Sequence, residues 1–298
     1  MSQSSAFSDE VDFGPPGAAV RRDQSKSLPF WEHREKSSGR TIHDDPVLIN
    51  EVITSPMLLN LTSPLADAVM LQPDDYVGIS FFAIMMAMIA ASVFFFLETQ
   101  RAEGKWKTSL IVAGLVTMVA AWHYSYMREM WASTGESPVV FRYIDWLITV
   151  PLQMIEFYLI LAAITAVSAG IFWRLMIGTL VMLIGGYLGE SAAGPQWGYF
   201  AIGIAGWAFI LYEVFAGEAS KVCATSAPAG VQKAYSTLRL IVSVGWALYP
   251  LGYVVGAMAD PAGSSDGTLN LVYNIADVVN KIAFGAIIWS IATAKHED

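Results

Sequence analysis

Apolar runs long enough to cross a bilayer recur from about residue 76 to residue 294, separated by short polar breaks. Read as helices, they give seven spans at about 76–98, 107–130, 139–165, 170–189, 197–217, 236–258 and 268–294. A segment in lipid has no water to satisfy its backbone, so only helices or a closed barrel can span. The period-two alternation of a barrel is absent. The pattern therefore predicts an all-α membrane protein, a seven-transmembrane-helix bundle filling residues 76–298.

Residues 1–75 do not follow this pattern. Their first half is polar, mixed in charge and interspersed with Pro, Gly and Ser, as expected of a partly disordered extension. Pro46–Leu71 has enough apolar residues for one or two short helices, interrupted at Pro56 and Pro64. No basic stretch followed by an apolar one opens the chain, so no cleaved signal peptide is expected. The extension is either a tail without a function of its own, or a segment packed over the outer mouth or between subunits.

Composition agrees with a membrane protein: 55% hydrophobic residues, 14% charged and a mean hydropathy of +0.48. Net charge −9 argues against nucleic acid as a partner. The single Cys223 excludes an intrachain disulfide, and four scattered His show no metal-ligand spacing, so no metal site is expected. Lys and Arg set the orientation. Arg101, Lys105 and Lys107 lie between spans one and two, Arg174 opens span four, Lys221, Lys233 and Arg239 flank the fifth connection, and Lys295 follows span seven. The other connections carry Arg128 and otherwise acids such as Glu136, Asp260 and Asp266. The positive-inside bias then places the C-terminus in the cytoplasm and the N-terminus, with its extension, outside.

Against this apolar background a few ionisable residues stand out. Lys281 falls in the middle of span seven with Asp277 one turn earlier. Each costs at least a few kcal/mol at membrane depth, so such a pair reads as a functional site, although an ion pair that only fixes packing has the same pattern. Lysine is also the side chain that forms Schiff bases with carbonyl compounds. Span three, FRYIDWLITVPLQMIEFYLIL, holds Arg142, Asp145, Thr149, Gln153 and Glu156. Eleven helical residues leave Asp145 and Glu156 about 20° apart in azimuth and roughly 16 Å apart along the axis, with Thr149 and Gln153 between them on nearly the same stripe. Two stacked carboxylates with an amine nearby suit a proton relay. Arg142 can account for Asp145 as a structural ion pair, but Glu156 has no basic neighbour on its own helix.

FRYIDWLITVPLQMIEFYLIL, WHYSYM in span two, GWALYPLGY in span six and VYNIADVVNKIAFG in span seven together resemble the microbial (type 1) rhodopsins, most closely the proteorhodopsins. The likeness runs in order from about residue 75 to 298 and includes both Asp-x3-Thr-x6-Glu and Asp-x3-Lys. It implies all-trans retinal bound to Lys281 as a protonated Schiff base, with Asp145 as proton acceptor and counterion, Asp277 as second counterion and Glu156 as cytoplasmic proton donor. Arg142 resembles the arginine that organises the extracellular half-path, and His123 the histidine that hydrogen-bonds the acceptor. Trp146, Trp246, Tyr249 and Pro250 resemble the walls of the retinal pocket, with Met182 and Gly186 near its ring end; aromatic residues at helical spacing also serve simply as core.

The triplet Asp145, Thr149, Glu156 resembles that of outward proton pumps and not the sodium or chloride pumps of the superfamily. Burial in apolar surroundings favours a protonated Glu156, able to resupply the proton passed to Asp145. Gln153 occupies the position where glutamine accompanies blue absorption and leucine green. Phe200 stands where glycine accompanies a carotenoid antenna, so no antenna is expected. The resemblance further implies a homo-oligomer, a pentamer or hexamer, in the cell (inner or plasma) membrane, in contact with lipid. The reading is a light-driven proton pump, an ion transporter and not an enzyme. Its rivals are a sensory photoreceptor with a slow cycle, which would not need the Glu156 donor, and a retinal-free seven-helix receptor or transporter.

Overall fold

The computed structural model describes residues 70–191, 194–259 and 266–294, with the backbone alone for 255–259 and 266. The expectations for residues 1–69, for the side chains of Asp260 and Asp266 and for Lys295 lie outside the described residues. Every regular element described is helical. Seven helices are long and apolar enough to cross a membrane: Tyr76–Glu98, Trp106–Thr134, Val139–Ile164, Ala169–Glu190, Gln196–Ser226, Ala229–Val254 and Gly267–Ala292.

The ends of the spans follow from local chemistry. Asp75 caps span one, its Oδ1 accepting from the Gly78 amide at 2.8 Å, and both its oxygens accept from Trp131 Nε1 at 3.1 Å. Span two runs four residues past the expected end, to Thr134, and stops at Gly135, whose φ of 72° is the left-handed cap that glycine adopts without strain. Arg128, counted in the sequence with the second connection, lies on this helix. Span five continues past a break at Gly217 into Glu218–Ser226, which carries Lys221.

Span six also departs from expectation, beginning at Ala229 and not near 236. The fifth connection shrinks to Ala227 and Pro228, and Lys233 and Arg239 lie on the helix. The reason is the buried stripe Val231, Ala234, Tyr235 and Leu238, whose i, i+3, i+4, i+7 spacing continues the helix through a mildly polar segment. Arg239 packs over the rings of Tyr235 at 4.6 Å and Phe215 at 5.4 Å, and Arg174 pairs with Glu213 at 2.8 Å and Glu218 at 2.6 Å. These two cations thus tie helix ends together as well as marking a side of the bundle.

The polarity of the bundle is inverted relative to a water-soluble protein. Phe82, Ile89, Leu97, Trp122, Ile177 and Ile184 are exposed on the outside, whereas Arg142, Asp145, Glu156, Asp277 and Lys281 are each at most 2% exposed. Lipid accepts the first set, and the second must find partners inside. Spans four and five approach closely at small residues: a Cβ on Gly185 would lie 2.6 Å from the Gly203 amide nitrogen, and one on Gly206 2.5 Å from that of Met182. Span seven packs instead against spans one, two and six, so the interior opens between it and the four–five pair.

Candidate functional site

The centre of the site is one cation held by two anions. Lys281 Nζ donates to Asp145 Oδ2 across the bundle and to Asp277 Oδ2 one turn back, at 3.1 Å. All three side chains are buried, so the ammonium is stabilised by its partners and not by solvent. Span seven is wound as a π-helix over Val278–Ala283, which includes Lys281, and span six has a second π segment at Ile241–Gly245, just before Trp246. Such segments are frequent at functional sites because they free backbone carbonyls and re-aim side chains.

Neighbouring side chains take up those carbonyls. Trp207 Nε1 donates to Val242 O at 2.8 Å, Asn280 Nδ2 to Gly245 O at 3.2 Å, and Gln153 Nε2 to Asn280 O at 2.5 Å. Spans three, five, six and seven are therefore joined around Lys281 by side chain to backbone bonds.

The two carboxylates are not equivalent. Asp277 accepts from Tyr249 at 2.5 Å and Tyr124 at 2.8 Å in addition to the ammonium, and Tyr249 in turn accepts from Asn280 at 3.1 Å. Asp145 has Lys281 on one oxygen, while Oδ1 has no hydrogen-bond partner among the described residues. His123, expected to bond this carboxylate, places Nδ1 3.8 Å from Oδ1. The same nitrogen instead lies 2.9 Å from the Val119 carbonyl, the i−4 acceptor that its helix supplies. Thr149 likewise bonds backbone, the Asp145 carbonyl at 2.9 Å, and not the carboxylate.

Arg142 is one turn from Asp145 on span three, yet its guanidinium reaches towards span seven. Nη2 donates to Asn270 at 2.8 Å and Asn274 at 3.1 Å, and the group lies 5.2 Å from the Tyr273 ring centre and 5.7 Å from that of Phe81. Ser137 also donates to Asn270, and Asn274 to Ser80, so polar groups continue from Arg142 to the connection between spans two and three. The opposite half is different. Glu156 is 1% exposed, and neither carboxyl oxygen has a hydrogen-bond partner among the described residues. Ser109 of span two is a polar neighbour of it. Beyond it the Ala162 carbonyl accepts from Lys105 at 2.7 Å, which puts the first basic connection at the Glu156 end of the bundle.

A cavity runs from Lys281 towards spans four and five. Every pocket residue expected from the sequence lines it: Trp146, Gln153, Met182, Gly186, Trp246, Tyr249 and Pro250. Trp146 meets Tyr143, Tyr249 and Tyr273 edge-on at 4.9, 4.9 and 5.8 Å, and Phe200 stacks on Tyr253 at 5.0 Å. Lys281 carries the one amine among the lining residues. An apolar, aromatic-walled cavity with an amine at one end suits a long apolar aldehyde, the shape and chemistry of retinal. Tyr124, Asn274, Asn280 and Glu190 belong to the site without having been singled out in the sequence. Tyr124 was signalled by its place beside His123, and the two asparagines by being polar in an apolar span.

Residues 75–295 match the family model described as bacteriorhodopsin-like protein. The chain is 53% identical over 228 residues to the green-light absorbing proteorhodopsin of Gamma-proteobacterium EBAC31A08, covering 76% of this chain and 91% of that one. It is 51% identical over 224 residues to the blue-light absorbing proteorhodopsin of Gamma-proteobacterium Hot 75m4, covering 75% and 89%. Among solved structures, blue light-absorbing proteorhodopsin from Med12 matches with a TM-score of 0.63 and 51% identity over 73% of this chain and 98% of that one. Exiguobacterium sibiricum rhodopsin matches with a TM-score of 0.65 and 32% identity over 73% and 97%.

Proposed function

Because this chain belongs to the bacteriorhodopsin-like family, of which its described body has the seven-helix fold, we propose that it is a light-driven outward proton pump, blue-absorbing, with retinal on Lys281. The observation that carries the reading is the buried Lys281 ammonium between two carboxylates, one of them with an oxygen that has no hydrogen-bond partner among the described residues. Retinal, joined through its aldehyde to Lys281 as a protonated Schiff base, would supply light absorption and a photoisomerisation that redirects the N–H of that nitrogen.

The chain's own residues handle the proton. Asp277, with Tyr124, Tyr249 and Lys281 already on its oxygens, acts as a fixed anion, and Asp145 receives the proton from Nζ. Arg142, Asn270, Asn274 and Ser137 form the polar way out, with His123 beside the acceptor. Glu156 returns a proton to Nζ from the other side, past Gln153 and Thr149. Its end of the bundle carries Lys105, so the positive-inside bias makes it cytoplasmic and the direction outward. The same bias sets the N-terminus and the 1–75 extension outside, in a multi-pass protein of the cell membrane. A homo-oligomer, a pentamer or hexamer, belongs to this reading. So does the lack of an antenna, since the Phe200 ring stands in the cavity wall against Tyr253.

Glu156→Gln tests pump against photosensor. The dark pigment should be nearly unchanged, because Glu156 lies roughly 16 Å of helix rise from Asp145. Loss of the proton from Nζ should keep its rate. Its return should slow by about a hundredfold, the low end of what a positioned proton donor contributes, and should follow bulk pH. A small permeant acid such as azide should restore much of the speed. Flash spectroscopy at several pH values measures this, and an unchanged return rate would favour the sensory reading.

Gln153→Leu tests the colour. Excitation moves positive charge from the Schiff base towards the ring, so removing a fixed amide dipole should shift the band to longer wavelength. A band that stays in place, or moves the other way, would count against Gln153 as the tuning residue. The substitution also leaves the Asn280 carbonyl without its donor, which should lower stability by about 1–3 kcal/mol in thermal unfolding.

A further inference from the structure

Among the described residues four tyrosines line the cavity, and the hydroxyls of three are already engaged. Tyr249 donates to Asp277, Tyr273 donates to the Tyr249 carbonyl at 3.1 Å, and Tyr143 is hydrogen-bonded to Glu190. Tyr253 is the exception. The residue is 8% exposed, and its hydroxyl oxygen, itself buried, has no hydrogen-bond partner among the described residues. Gln196 and Glu190 are polar neighbours, but neither closes a hydrogen bond to it. A buried hydroxyl left unpaired carries a cost, so in a native protein such a group calls for a partner from elsewhere. Its position says where that partner sits. Tyr253 stands one turn beyond Tyr249 on span six and stacks on Phe200 of span five, and a Cβ on Gly189 of span four would lie 3.3 Å from its oxygen. Gly186, one turn before Gly189, lines the cavity, so span four offers only backbone at both positions. The unpaired oxygen is thus at the end by spans four and five, away from Lys281 on span seven.

We propose that this end of the cavity takes a retinal whose ring carries a hydroxyl, at a ring carbon outside the conjugated system, in preference to retinal with a hydrocarbon ring. This rests on Lys281 holding a retinoid. The ring hydroxyl accepts from Tyr253 Oη, whereas a hydrocarbon ring fills the same space and leaves the phenol unpaired. Attachment is unchanged: the Lys281 amine and the aldehyde form the C=N bond with loss of one water, and the ring hydroxyl takes no part. The hydroxyl gives up its own hydration on entering, so the gain is the net of one hydrogen bond, about fivefold in affinity. The preference appears in which molecule is taken up and hardly in colour, because the hydroxyl is not conjugated with the polyene.

The test is competition for the full chain prepared without retinoid. It is given equal amounts of all-trans retinal and all-trans 3-hydroxyretinal, and in a second run 4-hydroxyretinal, and the bound retinoids are released and quantified once their ratio is constant. Tyr253→Phe in the same lipid or detergent removes the phenol oxygen and cancels differences in partitioning. For at least one of the two analogues, the ratio of hydroxylated to plain retinal should be about fivefold higher on the wild type than on Tyr253→Phe. Equal ratios on the two proteins for both analogues overturn the proposal alone. Should Tyr253→Phe take up no retinoid, the wild type is offered each hydroxylated retinal against a retinal with a methyl at the same carbon. An excess of the hydroxylated molecule then supports the proposal, and its absence for both carbons overturns it. A wild type that forms no visible band with any of these molecules overturns the retinal reading, and this inference with it.

Discussion

Lys281→Ala yields a protein that stays colourless with all-trans retinal and moves no protons in light. No other residue lining the cavity has an amine, so nothing else there can hold an aldehyde covalently. The substitution has a second consequence that follows from the geometry. It leaves Asp145 and Asp277 buried side by side without the cation that both share. Removing one partner of a buried ion pair costs about 3–5 kcal/mol, and here the remaining charges also repel. Thermal unfolding followed by circular dichroism should show that loss. The double variant Lys281→Ala/Asp145→Asn, with one anion neutralised, should recover part of it while remaining colourless. A visible band that survives denaturation of Lys281→Ala would place the attachment elsewhere.

Asp145→Asn should abolish outward pumping and move the band of the pigment to longer wavelength, since the anion paired directly with Nζ is lost. Asp277 remains, but its oxygens are already engaged by Tyr124, Tyr249 and Lys281. An acceptor must have room for the proton that it takes, and Asp145 Oδ1 is the carboxylate oxygen of the pair with that room among the described residues. Light-induced acidification of an unbuffered suspension of cells measures the outcome. Pumping at the wild-type rate in this variant would transfer the acceptor role to Asp277.

Much of this site is legible in the chain because its main groups are repeated on single helices. Apolar length marks the seven spans, the eleven-residue spacing stacks Asp145 under Glu156, and the i, i+4 spacing sets Asp277 beside Lys281. Contacts between helices leave weaker traces. Tyr124 and Tyr249 converge on Asp277 from spans two and six, and neither has a spacing that announces the other. Thr149 and His123 are on the expected helices near the expected acid, but backbone carbonyls of their own helices take their hydrogen bonds, a competition that residue type does not reveal. Hydropathy alone starts span six too late because it falls before Ser236, whereas the apolar stripe from Val231 to Leu238 carries the helix back to Ala229. Glu190 reads in the sequence as an ordinary acid at a helix end, and its place in the cavity wall depends on how spans four and five pack.

The π segment around Lys281 places a constraint on chain length as well as on residue identity. It holds one residue more than the α-helical turn it replaces, and its wider winding takes up that residue before the half-span Phe284–Ala292 begins. Phe284, Ile288 and Ile291 are buried in this register. Deleting any one residue from Val278 to Ala283 would leave a span still apolar and long enough to cross the membrane, and would even regularise its helix. Because the wider turn absorbs the extra residue, the half-span beyond would keep those three side chains on the bundle side, and the loss would fall on the turn itself, on the direction of Lys281 and on the Asn280 carbonyl that Gln153 engages. In this stretch the number of residues is itself inherited information, and a one-residue gap between related chains would mark a changed site where a substitution need not.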